Sequence, residues 1–238
     1  MEKIHFISYG DKKYNKAKKR IKEEAIKCNW FDNIKIYEPD DLTMEFKENF
    51  KEILNEKRGG GYWIWKLDII NQELKDLSKN DILVYSDAGC VINNKGEKRF
   101  KEYIELLKNS DESVISFQMK GCKEREWTTK EIFNYFNIDI NSKEANSGQI
   151  HATILIMKKN EKLMEILDKY FKVLKDDIYL VTDKYNTNQI DKFRDNRHDQ
   201  SIFSIIRKKY GSIILEDETA RKYKNIEKSP FIAMRKRK

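Results

Sequence analysis

The chain has 238 residues, of which 39% are hydrophobic and 37% are charged, and its formal net charge is +8. This length suits one substantial α/β domain or two small ones, and no run approaches the roughly 18 apolar residues of a membrane span. The basic balance favours a phosphate-bearing partner or an anionic membrane surface, although a solvated surface rich in lysine and glutamate gives the same balance. The three cysteines are odd in number and far apart, which argues against a disulfide framework. They form no Cys-x-x-Cys pair, which argues against a zinc cluster.

The first 90 residues alternate predicted strands and helices. Strands are expected at residues 3–9, 33–37 and 82–85, and amphipathic helices at residues 14–28, 42–54 and 63–77. This alternation predicts a Rossmann-type, mixed and mostly parallel central sheet flanked by helices.

The remaining sequence continues the same pattern with more polar connections. Helices are expected at residues 97–108, 128–136, 160–174 and 199–210, strands at 113–119, 149–157 and 212–215, and a polar loop at 183–197. Because no Pro/Gly/Ser-rich linker and no repeat interrupts the chain, we expect a single domain over residues 1–238. Within it we expect a nucleotide-binding half at about 1–95, an acceptor-side half at about 96–220 and a basic tail at about 221–238.

An acidic residue follows the third predicted strand. The apolar run of residues 82–85 stops at Ser86, Asp87, Ala88 and Gly89. Open α/β sheets bind their ligands at the carboxyl ends of strands, so Asp87 is a candidate metal ligand or a contact to a metal-bound diphosphate. A turn cap is an equally good interpretation, since Asp and Gly both favour turns.

A glycine-rich stretch with aromatic and basic residues precedes that strand. Three glycines at residues 59–61 permit positive φ angles and a close approach of backbone to a ligand. Arg58 and Lys66 are candidate phosphate contacts, Tyr62 or Trp63 is a candidate wall of a site, and Trp65 is expected in the core. The alternative is a flexible loop before a helix whose tryptophans all belong to the core.

Two further polar groups are candidates for chemistry. Asp199, at a predicted helix start between His198 and Gln200, suits a general base, an acceptor-binding group or a metal neighbour, and a simple helix cap is the alternative. His151 lies in the strand predicted at 149–157, where a lone histidine is more often structural than a ligand.

Five stretches, in order along the chain, resemble a family of bacterial and viral sugar transferases with the GT-A fold. They are Gly-Tyr-Trp-Ile-Trp-Lys (61–66), Leu-Val-Tyr-Ser-Asp-Ala-Gly-Cys (83–90), Glu-Trp-Thr-Thr-Lys (126–130), Gln-Ile-His-Ala (149–152) and Arg-His-Asp-Gln-Ser-Ile-Phe-Ser (197–204). The resemblance implies transfer of a sugar from a nucleotide-sugar donor to a glycan, lipid-linked or protein-linked acceptor.

The resemblance also assigns expected roles to individual residues. The donor-binding residues it implies are Ser8, Tyr9, Gly10, Arg58, Tyr62, Trp63, Lys66, Ser86, Asp87, Ala88, Gly89, Gln149, His151 and Gln200. Asp199 and Asp87 are the implied catalytic residues, with Asp199 the candidate base of an inverting reaction. For a retaining reaction, Asp199 or Gln200 would instead stabilise the sugar cation. Trp127 and His198 are the implied acceptor contacts, although core packing is as good an explanation for Trp127.

One departure from the family pattern concerns the metal. Asp87 stands where the first Asp of the Asp-x-Asp motif stands, but Gly89 stands where the second would be. The resemblance therefore implies Mn²⁺ or Mg²⁺ held by Asp87 with waters, the diphosphate and His198, or else a reaction without a metal.

Two other functions compete with this interpretation. A sugar-phosphate nucleotidyltransferase usually carries a glycine-rich basic loop after its first strand, and the turn at residues 8–11 lacks one. A nucleic-acid-binding module would explain the +8 charge, but no recognised nucleic-acid motif is present and no nucleic-acid partner is expected. The expected location is cytoplasmic, because the first residues are too charged for a signal peptide. The tail from Ile232 to Lys238 is expected to fray or to touch anionic lipid at the membrane periphery.

Overall fold

The structure, a computed structural model, describes residues 2–237, so Met1 and Lys238 lie outside the described residues. The strands are β1 (Ile4–Tyr9), β2 (Asn33–Tyr37), β3 (Ile82–Ser86), β4 (Val91–Ile92), β5 (Val114–Lys123), β6 (Gly148–Ile150), β7 (Ile154–Lys158), β8 (Ile213–Glu216) and β9 (Phe231–Ile232). The helices are α1 (Asn15–Cys28), α2 (Met44–Asn49), α3 (Lys51–Leu54), α4 (Gly59–Tyr62), α5 (Trp65–Asp76), α6 (Glu97–Lys108), α7 (Glu124–Trp127), α8 (Lys130–Tyr135), α9 (Lys143–Asn146), α10 (Glu161–Asp176) and α11 (Asp199–Tyr210).

Seven of these strands form one sheet in the order β2-β1-β3-β7-β5-β6, with β8 on the other edge of β5. β1 pairs in parallel with β2 and β3, and β5 pairs in parallel with β8. β7 is antiparallel to β3 and β5, and β6 is antiparallel to β5. Five of the seven strands therefore run in one direction, which confirms the predicted mixed, mostly parallel sheet flanked by helices.

The sheet is buried on both faces. In β3, Ile82 and Val84 belong to one hydrophobic cluster, which includes buried residues of α1 and α6. Leu83 and Tyr85 belong to the other, which includes buried residues of α5, α10 and α11. Successive side chains of a strand point to opposite faces. The uninterrupted apolar run of this strand is thus the pattern of a sheet covered on both sides.

Several predicted boundaries are wrong. The helix expected over 42–54 is divided into α2 and α3 at Phe50, whose φ of −122° is not helical. The helix expected from residue 63 begins at Trp65. The strand expected over 149–157 is interrupted after β6, because the N–H of Thr153 donates to the ring of His151 (3.3 Å) and the carbonyl of His151 accepts from Arg207 (2.8 Å). Such local side-chain bonds compete with strand pairing.

The C-terminal residues pack on the sheet domain and do not fray as expected. β9 pairs with β4, and Phe231 is fully buried. Beyond it, the N–H of Lys236 donates to the carbonyl of Gly89 (3.0 Å). We call residues 232–237 the C-terminal strap. Lys238, the last residue of the predicted tail, is not among the described residues. No helix within residues 2–237 is long and apolar enough to cross a membrane.

Candidate active site

The carboxyl ends of β1 and β3 lie side by side and bring together the first predicted donor-site residues. The hydroxyl of Ser8 donates to the carbonyl of Ser86 at 2.7 Å, and both residues are fully buried. Tyr9 stacks on Trp65 with ring centroids 3.7 Å apart. Gly10 continues the same edge, because its N–H bonds to the carbonyl at the end of β2. Parallel pairing of β1 with β2 and β3 thus collects these residues at one edge of the sheet.

Four residues at this edge form what we call the central cluster: Lys66, Tyr85, Asp87 and Asp199. The ammonium of Lys66 lies 2.7 Å from Asp199 Oδ2 and 3.8 Å from Asp87 Oδ1, and it donates to the carbonyl of Ala152 at 2.9 Å. The hydroxyl of Tyr85 donates to Asp87 Oδ1. Lys66 and Asp199 are both 6% exposed, whereas the side chain of Asp87 is 33% exposed. One buried cation therefore joins two carboxylates, and one of these reaches solvent.

The charges of the central cluster depend on one another. Burial raises the pKa of Asp199, and the adjacent ammonium of Lys66 opposes that rise. Burial by itself lowers the pKa of Lys66, but the carboxylates of Asp199 and Asp87 reverse the effect, so its pKa is raised and it stays charged. Burial and Asp87 hold the pKa of Tyr85 well above its usual value, which keeps its hydroxyl a donor. The cluster is thus an ammonium with two carboxylates and one phenol.

A second buried group, which we call the supporting cluster, consists of Glu124, Thr128, Gln149, Ser204 and Lys208. Glu124 is fully buried at the start of α7. One of its oxygens accepts from the Thr128 hydroxyl (2.6 Å) and from the Gln149 amide (2.9 Å). The other accepts from Ser204 and lies 2.7 Å from the Lys208 ammonium. Sequence reasoning did not identify Glu124, because nothing in its local sequence distinguishes it from a surface glutamate.

The supporting cluster fixes how two amides face the central cluster. A carboxylate only accepts hydrogen bonds, so Gln149 turns its NH₂ group to Glu124 and its oxygen the other way. That oxygen accepts from Gln200 Nε2 at 2.6 Å. The Gln200 oxygen in turn accepts from the N–H of Ala152 at 3.3 Å, next to the carbonyl that binds Lys66. Gln149 and Gln200 are therefore brought together, as predicted, in a defined orientation.

The three glycines form an unusual turn. All residues from Gly59 to Trp63 have positive φ, between 52° and 94°. This is a single left-handed helical turn, which costs a residue with a side chain about 1–2 kcal/mol. Glycine pays no such steric penalty, so Gly59–Gly61 make the turn possible and only Tyr62 and Trp63 are strained. A strained backbone of this kind often occurs at functional sites.

The turn places its aromatic side chains on His198. The His198 ring lies 4.9 Å from that of Tyr62 and 5.5 Å from that of Trp63. Its Nδ1–H donates to the carbonyl of Val181 (2.9 Å), while its buried Nε2 has no hydrogen-bond partner in the described structure and lies 3.8 Å from Asp183. Burial lowers the pKa of His198, which favours the neutral ring. The backbone of His198 also has positive φ (56°).

Arg58 lies at the rim of the site. It donates to Asp183 and to Asp195, each at 3.0 Å, and so joins the turn to the polar loop of residues 183–197. We call Arg58, Tyr62, Trp63, Asp183, Asp195 and His198 the rim cluster. Both ion pairs are more than a third exposed. The guanidinium expected at a diphosphate is therefore bound to two carboxylates of the chain itself.

The structure does not bring the His151 ring or Trp127 into the central cluster. The His151 ring stacks on Phe117 (5.5 Å) and its Nε2–H donates to Thr219 (3.1 Å). Trp127 is half-buried, and the guanidinium of Arg197 lies over its ring at 3.8 Å. Their predicted roles toward donor and acceptor remain predictions.

The residues around Asp87 do not fit a divalent metal ion. Hard cations require several oxygen ligands. Among residues 2–237 no group of three or more His, Cys, Asp or Glu side chains is arranged to hold a metal. The Asp87 oxygen nearest Lys66 already accepts from Tyr85, and the Lys66 ammonium, 3.8 Å from that oxygen, would repel a second cation bound there. His198, the other expected ligand, faces Val181 and Asp183.

One surface groove shares no residue with these clusters. It has a volume of about 730 Å³ and lies between α6 and Ile213 of β8. Its lining is mainly the exposed lysine, arginine and glutamate side chains of α6, among them Lys98, Glu102 and Glu105. We therefore place the candidate site at the strand ends, where the buried charges are.

Solved structures with a similar fold are known, although no protein-family model and no curated protein sequence matches the chain. A glycosyltransferase involved in the glycosylation of the major capsid of PBCV-1 superposes with a TM-score of 0.53 over 97% of this chain and 94% of its own, at 12% identity. The bifunctional glycosyltransferase WbbM gives 0.52 over 90% of this chain and 38% of its own, at 11% identity. Mouse xyloside xylosyltransferase 1 gives 0.50 over 90% and 84%, at 10% identity. The chain has the GT-A type of fold.

Proposed function

We propose that the protein is a glycosyltransferase that moves a sugar from a nucleotide-sugar donor to a glycan or glycoconjugate acceptor. The observation that carries this proposal is the central cluster at the carboxyl end of β3, in a GT-A fold. Ligands of open α/β sheets bind at such strand ends. Against a nucleotidyltransferase, the turn at residues 8–11 lacks a glycine-rich basic loop, and against a nucleic-acid-binding module, no recognised nucleic-acid motif is present.

The donor would lie along the edge formed by β1 and β3. Ser8, Tyr9 and Gly10 at the end of β1 would face the base and ribose. The exposed side of Asp87 would face the ribose and diphosphate. Two residues later in the chain, Gly89 packs closely against the C-terminal strap. Ala88 and Gly89, which the resemblance also assigns to the donor, are buried in this turn, and the strap packs on Gly89, so we assign the donor contact here to Asp87.

The sugar would lie toward the start of α11. Asp199 and Gln200 occupy its first turn, where backbone N–H groups and the helix dipole favour negative charge. Burial raises the pKa of Asp199, which is the direction that a general base operating near neutral pH requires. Gln200 has a second amide N–H beside the one bonded to Gln149, and this group suits a sugar hydroxyl. Asp199 is our candidate for the residue that accepts the proton of the attacking acceptor hydroxyl.

The first experiment is a thermal-shift panel of UDP-, GDP-, CDP- and TDP-sugars with wild-type protein and Asp87→Ala. A ligand that binds the folded state raises the melting temperature by mass action. We expect one nucleotide class to raise it for the wild type and to raise it less for Asp87→Ala. Asp111→Ala, an exposed aspartate on the α6–β5 connection, is the matched control and should respond like the wild type.

Catalysis is tested with the nucleotide-sugar that binds. We expect release of its nucleoside diphosphate to depend on wild-type protein and to increase with an oligosaccharide or lipid-linked acceptor mixture. No shift with any nucleotide-sugar, in protein whose folding is verified by circular dichroism, would contradict the proposal. A shift without any release of nucleoside diphosphate would leave a binding protein and would also contradict it.

A further inference from the structure

Lys66 is unusual for a lysine because its charged group is buried. Its ammonium is buried at the amino-terminal end of α5, where the helix dipole disfavours a cation. Two carboxylates and the carbonyl of Ala152 surround it. The sheet edge therefore already holds one fixed positive charge between Asp87 and Asp199, at the place where a donor diphosphate would bind.

The C-terminal strap packs against Gly89, the residue that stands where the second Asp of the Asp-x-Asp motif would be. A Cβ atom at Gly89 would lie 3.0 Å from the carbonyl oxygen of Met234 and 3.3 Å from the Cα of Arg235. The N–H of Lys236 also donates to the Gly89 carbonyl (3.0 Å). The C-terminal strap thus crosses residue 89 so closely that it would have to shift by a few tenths of an ångström to admit a side chain there. Glycine at this position fits the close packing of the strap.

The strap adds positive charge beside the same turn. Arg235, Lys236 and Arg237 are exposed. None of the ion pairs formed within residues 2–237 uses them. The place of a second carboxylate is therefore taken by a backbone segment with three cations available to an anion.

We propose, resting on the proposed transferase function, that Lys66 and the C-terminal strap supply the positive charge that a divalent metal supplies in a two-carboxylate site. The protein would then bind the diphosphate of its donor without a divalent metal. Lys66 is the inner cation, and Arg235, Lys236 and Arg237 are the outer ones. Asp87 holds Lys66 in place from the solvent side and does not act as a metal ligand.

This arrangement couples removal of the acceptor proton to departure of the diphosphate. The bond between the anomeric carbon and the diphosphate oxygen breaks, and its electron pair stays on the departing diphosphate. The acceptor oxygen forms the new bond to the anomeric carbon, and its proton passes to Asp199. Once Asp199 is neutral, the ammonium of Lys66 loses its closest counter-charge and is free to stabilise the new charge on the diphosphate. A single buried lysine thus links proton uptake to stabilisation of the leaving group.

The test compares nucleotide binding with and without metal. Wild-type protein is treated with EDTA, desalted and checked for metal by mass spectrometry, and binding of UDP, GDP, CDP and TDP is measured by calorimetry in EDTA or in Mn²⁺. We expect the Kd of the preferred nucleotide to differ less than threefold between the two conditions. We expect Lys66→Met to weaken binding at least tenfold in EDTA, and Lys66→Arg to retain part of it. The control, Lys51→Met on an exposed helix position, should bind like the wild type.

A second variant tests the strap in case Lys66→Met does not fold. Replacement of exposed Arg235, Lys236 and Arg237 by glutamine should leave folding intact, weaken nucleotide binding about tenfold and reduce its dependence on salt. Binding that disappears in EDTA and returns with Mn²⁺ would overturn the inference, while the proposed transferase function would stand. Absence of nucleotide binding under both conditions would overturn both. Unchanged binding by the strap variant would overturn the role of the strap.

Discussion

The molecule contains two buried lysine–carboxylate pairs of the same length that differ in their surroundings. Lys66 and Asp199 of the central cluster are 2.7 Å apart, and so are Lys208 and Glu124 of the supporting cluster. Glu124 is surrounded by hydroxyl and amide donors and is fully buried. Lys66 is shared instead between Asp199 and the partly exposed carboxylate of Asp87.

This difference suits a structural role for the Lys208–Glu124 pair and the reactive role that we propose for the Lys66–Asp199 pair. A buried charge is stable only when it is paired and its remaining hydrogen-bonding capacity is used, and Glu124 meets both conditions. The central cluster has two negative charges and one positive charge, and one carboxylate faces solvent. It can therefore gain a ligand or a proton without breaking the structure around it. The supporting cluster acts on the site through the orientation of Gln149 and Gln200.

The largest effect is expected from breaking the supporting pair. Glu124→Ala leaves the Lys208 ammonium buried without its partner, which typically costs about 3–5 kcal/mol. We expect the free energy of unfolding, measured by urea denaturation, to fall by that amount. The double variant Glu124→Ala/Lys208→Met should recover part of the loss, because the unpaired charge is gone. A loss below about 1 kcal/mol for Glu124→Ala would contradict the structural role of this pair.

A change to the central pair should affect activity more than stability. Asp199→Asn keeps an oxygen for Lys66, and Asp87 remains as counter-charge, so we expect the free energy of unfolding to change by less than about 1 kcal/mol. Loss of a general base lowers the rate by about 10²–10⁴-fold, and we expect at least about a hundred-fold slower release of nucleoside diphosphate in the transfer assay. Asp168→Asn, an exposed position on α10, is the control. If Asp199→Asn retained the wild-type rate, the Lys66–Asp199 pair would be structural, like the Lys208–Glu124 pair.

The rim cluster offers a pH-dependent test. Burial lowers the pKa of His198, so the folded state holds the ring neutral below the ordinary value of 6.5, where the unfolded chain takes up a proton. Stability should therefore fall as the pH is lowered through about 6.5, and each unit of pKa depression contributes up to about 1.4 kcal/mol.

The variant His198→Gln isolates this contribution. Glutamine does not titrate, so the fall in melting temperature from pH 7.5 to pH 5.5 should be smaller in the variant than in the wild type. Equal pH dependence of the two proteins would show that the ring is not held neutral by burial.

Sequence patterns predicted the parts of this site that are local in the chain. The apolar run before Asp87 predicted β3 and its strand end, and the polar start of α11 predicted the place of Asp199. Both predictions rest on a residue's position in its own element, which periodicity and turn residues report. The three glycines likewise indicated positive φ at residues 59–61, which the structure has.

Long-range partners were not predictable in this way. β4 and β9 are two residues each and lie about 140 positions apart, so no periodicity marks them. The strap over Gly89 follows that pairing. The sequence therefore showed that the second Asp of the motif is replaced by Gly89, but not that the strap packs there. Glu124 is also defined by partners far along the chain, Ser204 and Lys208. The same limit applies to Lys66: its sequence context predicted a phosphate contact but not the pairing with Asp199.

The smallest expected effect tests whether Arg58 belongs to the rim or to the donor site. Its pairs with Asp183 and Asp195 are exposed, and such pairs contribute about 0.2–1 kcal/mol, less at high salt. We expect Arg58→Met to lower stability by no more than this, with the difference from wild type disappearing in about 1 M NaCl, where the Debye length is about 3 Å. The nucleotide-induced rise in melting temperature should be unchanged, because the guanidinium is already held by two carboxylates of the polar loop. If Arg58→Met instead abolishes that rise, Arg58 must leave Asp183 and Asp195 and bind the diphosphate when the donor is present. The rim cluster would then be separate from the donor site only in the protein without its donor.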